Sequence, residues 1–236
     1  MIDIHCHILP SIDDGPSDIE TSIKMLKVAA DDGITHIVAT PHFRQNEKPT
    51  IQDIRDGISQ LEKSVNGAGM GIKLLSGADI RLTYELIYGI EENRIPSING
   101  SRYFLLELPD LIPPNLDNFL FTARSCGFVP IITHPERNYS LLASPGKMEV
   151  LRDSGALFQL TAMSITGEFG GRVKKFSRML LKKGFVNFIA TDAHSTVRRA
   201  PVLSKALRVI SGLLDEREVR KIFFENPEAV IENRGL

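Results

Sequence analysis

Short runs of almost purely apolar residues alternate along this chain with longer segments in which apolar residues recur every three or four positions. The short runs, such as 128–133, are typical of parallel strands buried on both faces. The longer segments, such as 51–65, have the 3.6-residue period of amphipathic helices. The pattern predicts seven strands, at about residues 2–7, 34–40, 72–79, 102–108, 128–133, 156–161 and 185–191.

Capping residues mark several of the predicted helix boundaries. Ser17 followed by Glu20 is a capping-box pattern that predicts the start of the first helix, and Gly33 is suited to end it. A later helix is predicted to end near Gly184. Strand and helix alternate in this way along the chain, which predicts a parallel α/β fold.

No Pro-, Gly- or Ser-rich linker divides the chain, so we predict one domain over residues 1–236. Seven strand–helix units in one domain favour a closed or nearly closed barrel with its chemistry at the C-terminal ends of the strands. An open doubly wound sheet is the alternative that periodicity leaves open. Hydrophobic residues make up 42% of the chain, which is enough to bury a sizeable core.

The charge balance argues against nucleic acid and anionic membranes as partners. With 28 basic and 29 acidic residues, the chain has no bulk positive charge that would attract either one. It has no apolar run of about 20 residues that could span a bilayer and no basic-then-apolar start of a secretory signal. Its two cysteines do not suggest a disulfide framework. We therefore expect a cytoplasmic protein that does not insert into membranes.

Six of the seven predicted strands end in residues that commonly bind metal ions, and only the strand at 156–161 does not. The carboxyl ends of parallel strands meet at one edge of the fold, where α/β enzymes carry their chemistry. We therefore expect these side chains to lie close together. They are His5, His7, His42, Asp79, Glu107, His134, Asp192 and His194.

The spacing of these residues suits metal binding. Residues i and i+2 of a strand point to the same side, so His5 and His7 can hold one ion together, and Asp192 and His194 repeat the spacing. Asp14, in the loop after the first strand, adds another carboxylate. Imidazole and carboxylate together suit zinc, manganese or iron. A cluster that holds more than one ion would allow two-metal hydrolysis.

Basic residues follow two of the ligand motifs and indicate an anionic substrate. Arg137 comes three residues after His134, and Arg198 and Arg199 follow His194 within five residues. Arginine binds phosphate with two parallel hydrogen bonds and keeps its charge at any physiological pH. A metal cluster beside arginines therefore predicts a phosphate ester as substrate, although the same arginines could merely cap helices.

The motifs of other catalytic mechanisms fit the sequence poorly. A cysteine phosphatase needs Arg six positions after its Cys, but Ile12 and Ile132 stand six positions after Cys6 and Cys126. Strand alternation also places Cys6 on the face opposite His5. The chain has neither a Gly-x-x-x-x-Gly-Lys phosphate loop nor a Gly-x-Ser-x-Gly elbow.

Three further polar residues have ordinary structural interpretations. His36 is expected to be a structural or surface residue. Asp3 either binds metal or orients a ligand. Glu136 is expected to be a local salt-bridge partner.

The ordered set of motifs resembles the PHP (polymerase and histidinol phosphatase) superfamily. More closely, the chain is similar to the bacterial tyrosine-protein phosphatases of the CpsB/YwqE family, which occur in capsule and exopolysaccharide gene clusters. The resemblance covers nearly the whole chain and is more specific for the superfamily than for the phosphatase branch. It rests on residues 1–10 and 13–16, Thr40-Pro41-His42, Gly77-Ala78-Asp79, Arg94-Ile95-Pro96, Glu107, His134-Pro135-Glu136-Arg137, Asp192-Ala193-His194 and Glu225-Asn226-Pro227.

The resemblance implies a distorted (β/α)7 barrel that holds two or three divalent ions, with manganese expected and iron, zinc or magnesium as alternatives. Arg137 and Arg199 would bind the phosphate, and His42 or His194 could supply a proton. Many relatives carry Glu at the position of Asp79, which is one methylene shorter. By motif, His5, His7 and Asp192 would hold the first ion, Glu107 and His134 the second, and Asp14, His42 and His194 the third, with Asp79 bridging the first two.

The predicted function is that of a manganese-dependent protein-tyrosine phosphatase. Its substrate would be phosphotyrosine in the C-terminal segment of a membrane-linked tyrosine kinase that regulates capsular or exopolysaccharide synthesis. The alternatives are a small-molecule phosphatase of the histidinol-phosphate phosphatase type and a PHP-type nuclease, which the balanced charge disfavours. A non-catalytic metal-binding regulator of the kinase is a further alternative, but the metal ligands are present. The sequence leaves an oligomeric assembly open.

Overall fold

Parallel strands form the frame of the protein, seen in a computed structural model that describes residues 1–68 and 70–236. Each of the seven predicted strand positions is occupied by a strand, so the strand prediction is confirmed. The strands are β1 (Ile2–Cys6), β2 (His36–Ala39), β3 (His42–Phe43), β4 (Lys73–Ser76), β5 (Asp79–Arg81), β6 (Tyr103–Glu107), β7 (Val129–Thr133), β8 (Leu157–Thr161) and β9 (Phe188–Ala190).

Helices occupy most of the connections between strands. None of those in the described part of the chain combines the length and apolar character needed to cross a bilayer. They are α1 (Ile19–Asp31), α2 (Ile51–Ala68), α3 (Leu86–Glu91), α4 (Leu116–Ser125), α5 (Tyr139–Ala143), α6 (Lys147–Asp153), α7 (Ala162–Thr166), α8 (Gly171–Lys182), α9 (Ser204–Ile210), α10 (Glu216–Arg220) and α11 (Asn226–Ile231), with short 3-10 turns at Ile98–Gly100 and Pro135–Arg137 and a π turn at Lys221–Glu225.

The helix ends follow the predicted capping residues with one exception. Gly33 and Gly184 come just after α1 and α8 with φ angles of 83° and 68°, the left-handed conformation that glycine adopts easily, which confirms both predicted ends. The predicted cap at the start of α1 is wrong by one residue. Asp18 rather than Ser17 caps the helix, because its carboxylate accepts a hydrogen bond from Thr21 N at 2.7 Å.

Two of the predicted strands are each broken into two shorter strands. Segment 36–43 forms β2 and β3, and segment 73–81 forms β4 and β5. Pro41, at the first break, has no N–H to donate to a neighbouring strand. Gly77, at the second break, lies so close to the other segment that a Cβ there would come within 2.7 Å of Val38 Cγ1. The two broken segments run side by side and stay paired with each other on both sides of the breaks, β2 with β4 and β3 with β5.

The strands form two parallel sheets, in the orders β1-β2-β4 and β3-β5-β6-β7-β8-β9. The two broken segments belong to both sheets and join them on one side. On the other side, the chain after β9 pairs with β1, since Asp192 N donates to His5 O at 2.8 Å and His7 N donates to Ala193 O at 2.9 Å. These hydrogen bonds link the last strand to the first. The predicted distorted (β/α)7 barrel is confirmed, and the open sheet is disfavoured.

The apolar core has two parts. The larger part lies between the strands and the helices, and it includes Met25, Phe104 and Phe158. The smaller part fills the barrel and includes Leu105 and Phe188. It forms the apolar floor beneath the side chains at the C-terminal ends of the strands.

An irregularity in β1 decides where its histidines point. The register of β1 against β2 shifts between Asp3 and Cys6, as in a β-bulge. Ile2 and Ile4 therefore pack in the barrel cluster, whereas Cys6 packs among the helices. The buried Asp3 carboxylate accepts a hydrogen bond from His5 N at 3.3 Å. Of the two interpretations of Asp3, the structure supports orientation of a neighbouring residue, through the backbone.

Candidate metal centre

The predicted ligands converge at the C-terminal ends of the strands. Among the described residues, three groups of His, Asp and Glu side chains have ligand atoms within 4.8 Å of one another. Two histidines each belong to two groups, so the groups are contiguous. The groups are His5, His7 and Asp192; His7, Asp14, His42 and His194; and His42, Asp79 and Glu107.

The innermost group contains two histidines from the first strand and an aspartate that follows the last. His5 Nε2 lies 3.2 Å from His7 Nε2 and 3.4 Å from Asp192 Oδ1, and His7 Nε2 lies 3.5 Å from the same oxygen. All three side chains are buried. This is the set that the family resemblance places around the first ion.

The outer group combines two histidines with a carboxylate from the loop after β1. His194 Nε2 and His42 Nε2 lie 3.2 Å and 3.6 Å from Asp14 Oδ1. The His194 ring stacks on that of His7, with centroids 3.8 Å apart. Gly15 allows the loop to pack this closely, because a Cβ there would come within 2.7 Å of the His7 carbonyl oxygen. The family resemblance places Asp14, His42 and His194 around the third ion.

Asp79 links the groups, although it begins β5 rather than ending a strand as predicted. Its Oδ1 accepts a hydrogen bond from Thr133 Oγ1 at 3.0 Å. Its Oδ2 is buried with no hydrogen-bond donor in the described part of the chain. Three imidazole nitrogens surround this oxygen, His5 Nε2 and His134 Nε2 at 3.7 Å and His42 Nδ1 at 3.5 Å. The short Asp side chain therefore reaches the other predicted ligands.

Glu107 ends β6 as predicted but has a partner that the sequence did not indicate. Its Oε1 lies 2.8 Å from Arg81 Nη1 at the end of β5. The family resemblance pairs Glu107 with His134, whereas in the structure Glu107 groups with His42 and Asp79, and His134 Nε2 lies 3.7 Å from Asp79 Oδ2.

The donor set and its spacing fit divalent metal ions. Bonds of about 2.1 Å to one ion separate neighbouring ligand atoms by roughly 3.0–3.4 Å. The contacts in the innermost group are 3.2–3.5 Å long. A buried carboxylate oxygen without a donor, as at Asp79, is energetically unfavourable unless a cation satisfies it. Mixed imidazole and carboxylate ligands suit zinc, manganese and iron.

The environment separates the pKa values of the histidines. Burial lowers the pKa of His5 to about 4 and that of His194 to about 3, so both rings are neutral at pH 7. Burial also acts on His7, but hydrogen bonds to Asp13 and Asp192 outweigh it and raise its pKa to about 9. Burial opposes ionisation of Asp192, yet the His5 imidazole, the hydrogen bond from His7 and the Arg137 guanidinium hold its pKa well below the usual range. A metal ion must displace the proton of His7, so metal affinity should rise with pH.

Two residues that orient the histidines were not identified as such from the sequence. Gln159 in β8 places Oε1 2.8 Å from His5 Nδ1, and Asp13 places Oδ2 2.6 Å from His7 Nδ1. Each contact fixes the ring so that Nε2 faces the site. Gln159 was overlooked because an amide is a poor metal ligand, and Asp13 because its neighbour Asp14 was chosen instead. The position of Gln159 near the end of a strand was the available signal.

We expect Gln159→Leu to weaken metal binding about tenfold, because an outer hydrogen-bond partner of a metal-bound histidine contributes on that order. The loss of the acceptor frees the His5 ring to rotate. Gln159→Glu keeps an acceptor oxygen and should bind metal at least as tightly as the wild type. Competition with a chelating dye measures both affinities. Unchanged affinity in Gln159→Leu would contradict this role.

Two arginines meet the innermost group at a single carboxylate. Arg137 Nη2 and Arg199 Nη2 lie 2.7 Å and 2.6 Å from Asp192 Oδ2. A guanidinium has five N–H donors, so each arginine keeps donors free for an anion. Arg198, by contrast, is exposed and lines a different cavity. The Phe169 ring lies 4.8 Å from Arg137 Cζ and covers that guanidinium.

The backbone is strained at two of the predicted ligands. His134 and Asp192 have φ angles of 36° and 51°, in the left-handed region that residues other than glycine rarely adopt. Such strain persists only where surrounding contacts impose it, and it concentrates at functional sites. Single-residue patterns in the sequence gave no signal of this strain.

Two other polar residues lie outside the metal groups. Glu136 is buried, and its Oε1 accepts hydrogen bonds from Thr161 N at 3.0 Å and Ser164 Oγ at 2.6 Å. The expected salt bridge is therefore wrong, because neutral donors satisfy this oxygen. His36 is away from the site as expected, with Nδ1 2.9 Å from Thr35 Oγ1.

Comparison with known proteins places the chain in a family. The family model described as capsular polysaccharide synthesis, CpsB/CapC, matches residues 1–232. The chain belongs to the CpsB/CapC family. It is 36% identical to CapC from Staphylococcus aureus over 238 residues, covering 100% of this chain and 90% of that protein. It is 34% identical to the tyrosine-protein phosphatase YwqE from Bacillus subtilis (strain 168), covering 100% of this chain and 93% of YwqE.

Solved structures agree with membership of the CpsB/CapC family. One of the crystal structures of YwqE from Bacillus subtilis and CpsB from Streptococcus pneumoniae, described as metal-dependent tyrosine phosphatases, matches with a TM-score of 0.95 and 32% identity. The match covers 100% of this chain and 96% of that one. A D-hydantoinase with a TM-score of 0.52 and 15% identity, covering 97% of this chain and 70% of its own, shares the fold alone.

Proposed function

We propose that this member of the CpsB/CapC family is a metal-dependent tyrosine-protein phosphatase that regulates capsular or exopolysaccharide synthesis. The observation that carries the proposal is the contact of Arg137 and Arg199 with Asp192, which also belongs to the innermost metal group. Ligands for metal ions and two guanidinium groups at one place suit a phosphate ester. The relatives YwqE and CpsB are named tyrosine-protein phosphatases, which supports the same substrate class here.

The two arginines and each candidate metal ligand receive a role in this proposal. Bound divalent ions would lower the pKa of a water molecule and neutralise phosphate charge. Arg137 and Arg199 orient the phosphate and offset the charge that develops on it. A phenolate is a good leaving group, so little acid catalysis is needed, and His42 or His194 would supply a proton only where it is not bound to metal. The proposed metal ligands are His5, His7, Asp14, His42, Asp79, Glu107, His134, Asp192 and His194.

We further propose manganese as the working metal, with two or three ions in each chain. Three contiguous ligand groups support this number, and mixed nitrogen and oxygen ligands are compatible with manganese. The proposed partner is phosphotyrosine in the C-terminal segment of a membrane-linked tyrosine kinase. We also propose that residues 1–236 form one phosphatase domain that works in the cytoplasm. Both cysteines are free thiols, which fits a reducing compartment.

Substrate comparison on the metal-loaded protein tests the proposed function. The substrates are a phosphotyrosine peptide, histidinol phosphate and single-stranded DNA, each assayed with manganese, zinc, iron and magnesium. We expect the highest kcat/KM for the peptide with manganese. A higher kcat/KM for histidinol phosphate would favour a small-molecule phosphatase, and cleavage of DNA would favour a nuclease.

We expect replacement of either cysteine by serine to leave most of the phosphatase activity intact. Cys6 is buried among apolar side chains, and burial raises the pKa of its thiol well above the usual value. Cys126 is exposed just after α4, at the end of the barrel away from the metal groups. A loss of more than about a hundredfold in kcat, with circular dichroism unchanged, would instead indicate a thiolate nucleophile.

A further inference from the structure

Helix α8, the second helix after β8, carries a concentration of positive charge. Helix α8 and the next residue contain six basic side chains and no acidic one, in a chain with 28 basic and 29 acidic residues. Helices α1, α2, α6 and α10 each carry both signs of charge. The six basic residues are Arg172, Lys174, Lys175, Arg178, Lys182 and Lys183.

Four of these residues form one line on the solvent side of the helix, which we call the basic ridge. The ridge consists of Arg172, Lys175, Arg178 and Lys182, all exposed and spaced by three, three and four residues. This spacing keeps them on one face, opposite the buried face that contains Phe176. At 1.5 Å of rise per residue, the ridge is about 15 Å long.

The basic ridge has no anionic partner within the part of the chain that the structure describes. The contacts of the neighbouring basic residues lie to either side of it, from Lys183 Nζ to Glu149 Oε1 at 3.5 Å and from Lys174 Nζ to Thr166 O at 2.9 Å. Like charges three or four residues apart destabilise a helix slightly. An acidic partner that lies along the ridge would convert this repulsion into attraction.

The basic ridge starts at the rim of the metal centre. The loop at 167–170 leads into α8, and within it the Phe169 ring lies 4.8 Å from Arg137 Cζ. Helix α8 also contacts the turn Pro135–Arg137. In a parallel βα barrel, each helix begins at the edge where the active site lies and runs back along the outside. A polypeptide with its phosphate at Arg137 can therefore continue along the ridge.

We propose that the basic ridge of α8 binds an acidic polypeptide segment that flanks the phosphotyrosine of the substrate. An extended chain advances about 3.3 Å per residue, so the ridge accommodates roughly four or five residues. Carboxylates or further phosphates in that segment would pair with the ridge side chains. The inference rests on the proposed phosphatase function and adds the chemistry of the sequence around the scissile phosphate.

Charge reversal on the metal-loaded enzyme tests this inference. The ridge variant carries Lys175→Glu, Arg178→Glu and Lys182→Glu. The control carries Lys24→Glu, Lys27→Glu and Arg55→Glu, on exposed positions of α1 and α2, and changes the net charge equally. The substrates are a phosphotyrosine peptide with acidic flanks, one with neutral flanks, and p-nitrophenyl phosphate.

For the ridge variant, we expect KM for the acidic peptide to rise about tenfold at low salt, since each exposed charge pair contributes modestly. Added salt should shrink this difference. The kcat for every substrate, KM for the neutral peptide and kcat/KM for p-nitrophenyl phosphate should stay within about twofold of wild type. If p-nitrophenyl phosphate hydrolysis falls, replacing the same three residues by Gln provides a milder variant for the same comparison.

Three results would overturn the inference, and a fourth would also overturn the proposed function. An unchanged KM in the ridge variant, or an equal rise in the control, would show that the ridge does not bind the peptide. If the wild type binds phosphatidylglycerol vesicles and the ridge variant does not, while KM for the acidic peptide is unchanged, the ridge binds a membrane surface instead. If the wild-type enzyme hydrolyses neither peptide, the phosphatase proposal fails and the inference fails with it.

Discussion

Replacing Asp79 by asparagine should remove at least one bound metal ion and lower kcat/KM by about a thousandfold, which corresponds to roughly 4 kcal/mol of transition-state stabilisation. Asp79 Oδ2 has no hydrogen-bond donor in the described part of the chain and lies 3.5–3.7 Å from three imidazole nitrogens. The amide keeps the shape and the contact with Thr133 but removes the negative charge that attracts cations. Elemental analysis gives the metal content, and steady-state kinetics on a phosphotyrosine peptide gives kcat/KM.

Asp3→Asn is the matched control for Asp79→Asn. Asp3 is also fully buried, but its carboxylate contacts Thr191 and the backbone of His5 and lies outside the metal groups. This variant should keep the full metal content. If Asp79→Asn keeps both its metal and its activity, Asp79 does not bind an ion that catalysis requires.

Replacing Arg137 or Arg199 by alanine should lower kcat/KM for a phosphotyrosine peptide about a hundredfold, because a loss of about 3 kcal/mol in transition-state binding has roughly that effect. Both guanidinium groups lie within 2.7 Å of Asp192 Oδ2 and face the innermost metal group. Loss of a charge-assisted contact that strengthens as negative charge develops in the transition state should lower kcat as well as affinity. Steady-state kinetics on variants of known metal content separates the two effects.

Two comparisons distinguish phosphate binding from a structural role. Arg198→Ala removes an exposed arginine next to Arg199 and should change kcat/KM by less than about threefold. Arg137→Lys keeps the charge but loses the two parallel hydrogen bonds, so its activity should lie between those of the wild type and the alanine variant. Wild-type kcat/KM in both Arg137→Ala and Arg199→Ala, with full metal content, would show that the phosphate binds elsewhere.

The regular parts of the fold could be predicted because burial imposes a period on the sequence. Strands buried on both faces read as apolar runs, and left-handed glycines end helices, so all seven strand positions and two helix ends were predicted correctly. Irregular features have no period. The breaks at Pro41 and Gly77 and the bulge in β1 were therefore not foreseen, although the bulge decides that His5 and Ile4 both face the barrel interior.

The sequence by itself determined which residue types stand at the strand ends and in what order. That order was enough to select side chains that lie together in the structure, whereas the barrel was favoured by the number of strand–helix units and by the resemblance to the family. Local sequence could do this because strand alternation and the parallel βα arrangement bring consecutive strand ends to one edge.

Only the tertiary structure decided which of these side chains meet. It placed His42 between Asp14 and Asp79, and it brought Gln159 to His5. The physical reason is that such contacts join residues far apart along the chain. Their distances depend on strand register, bulges and loop packing, to a precision of about 1 Å, and a residue's own neighbours in sequence do not encode these features.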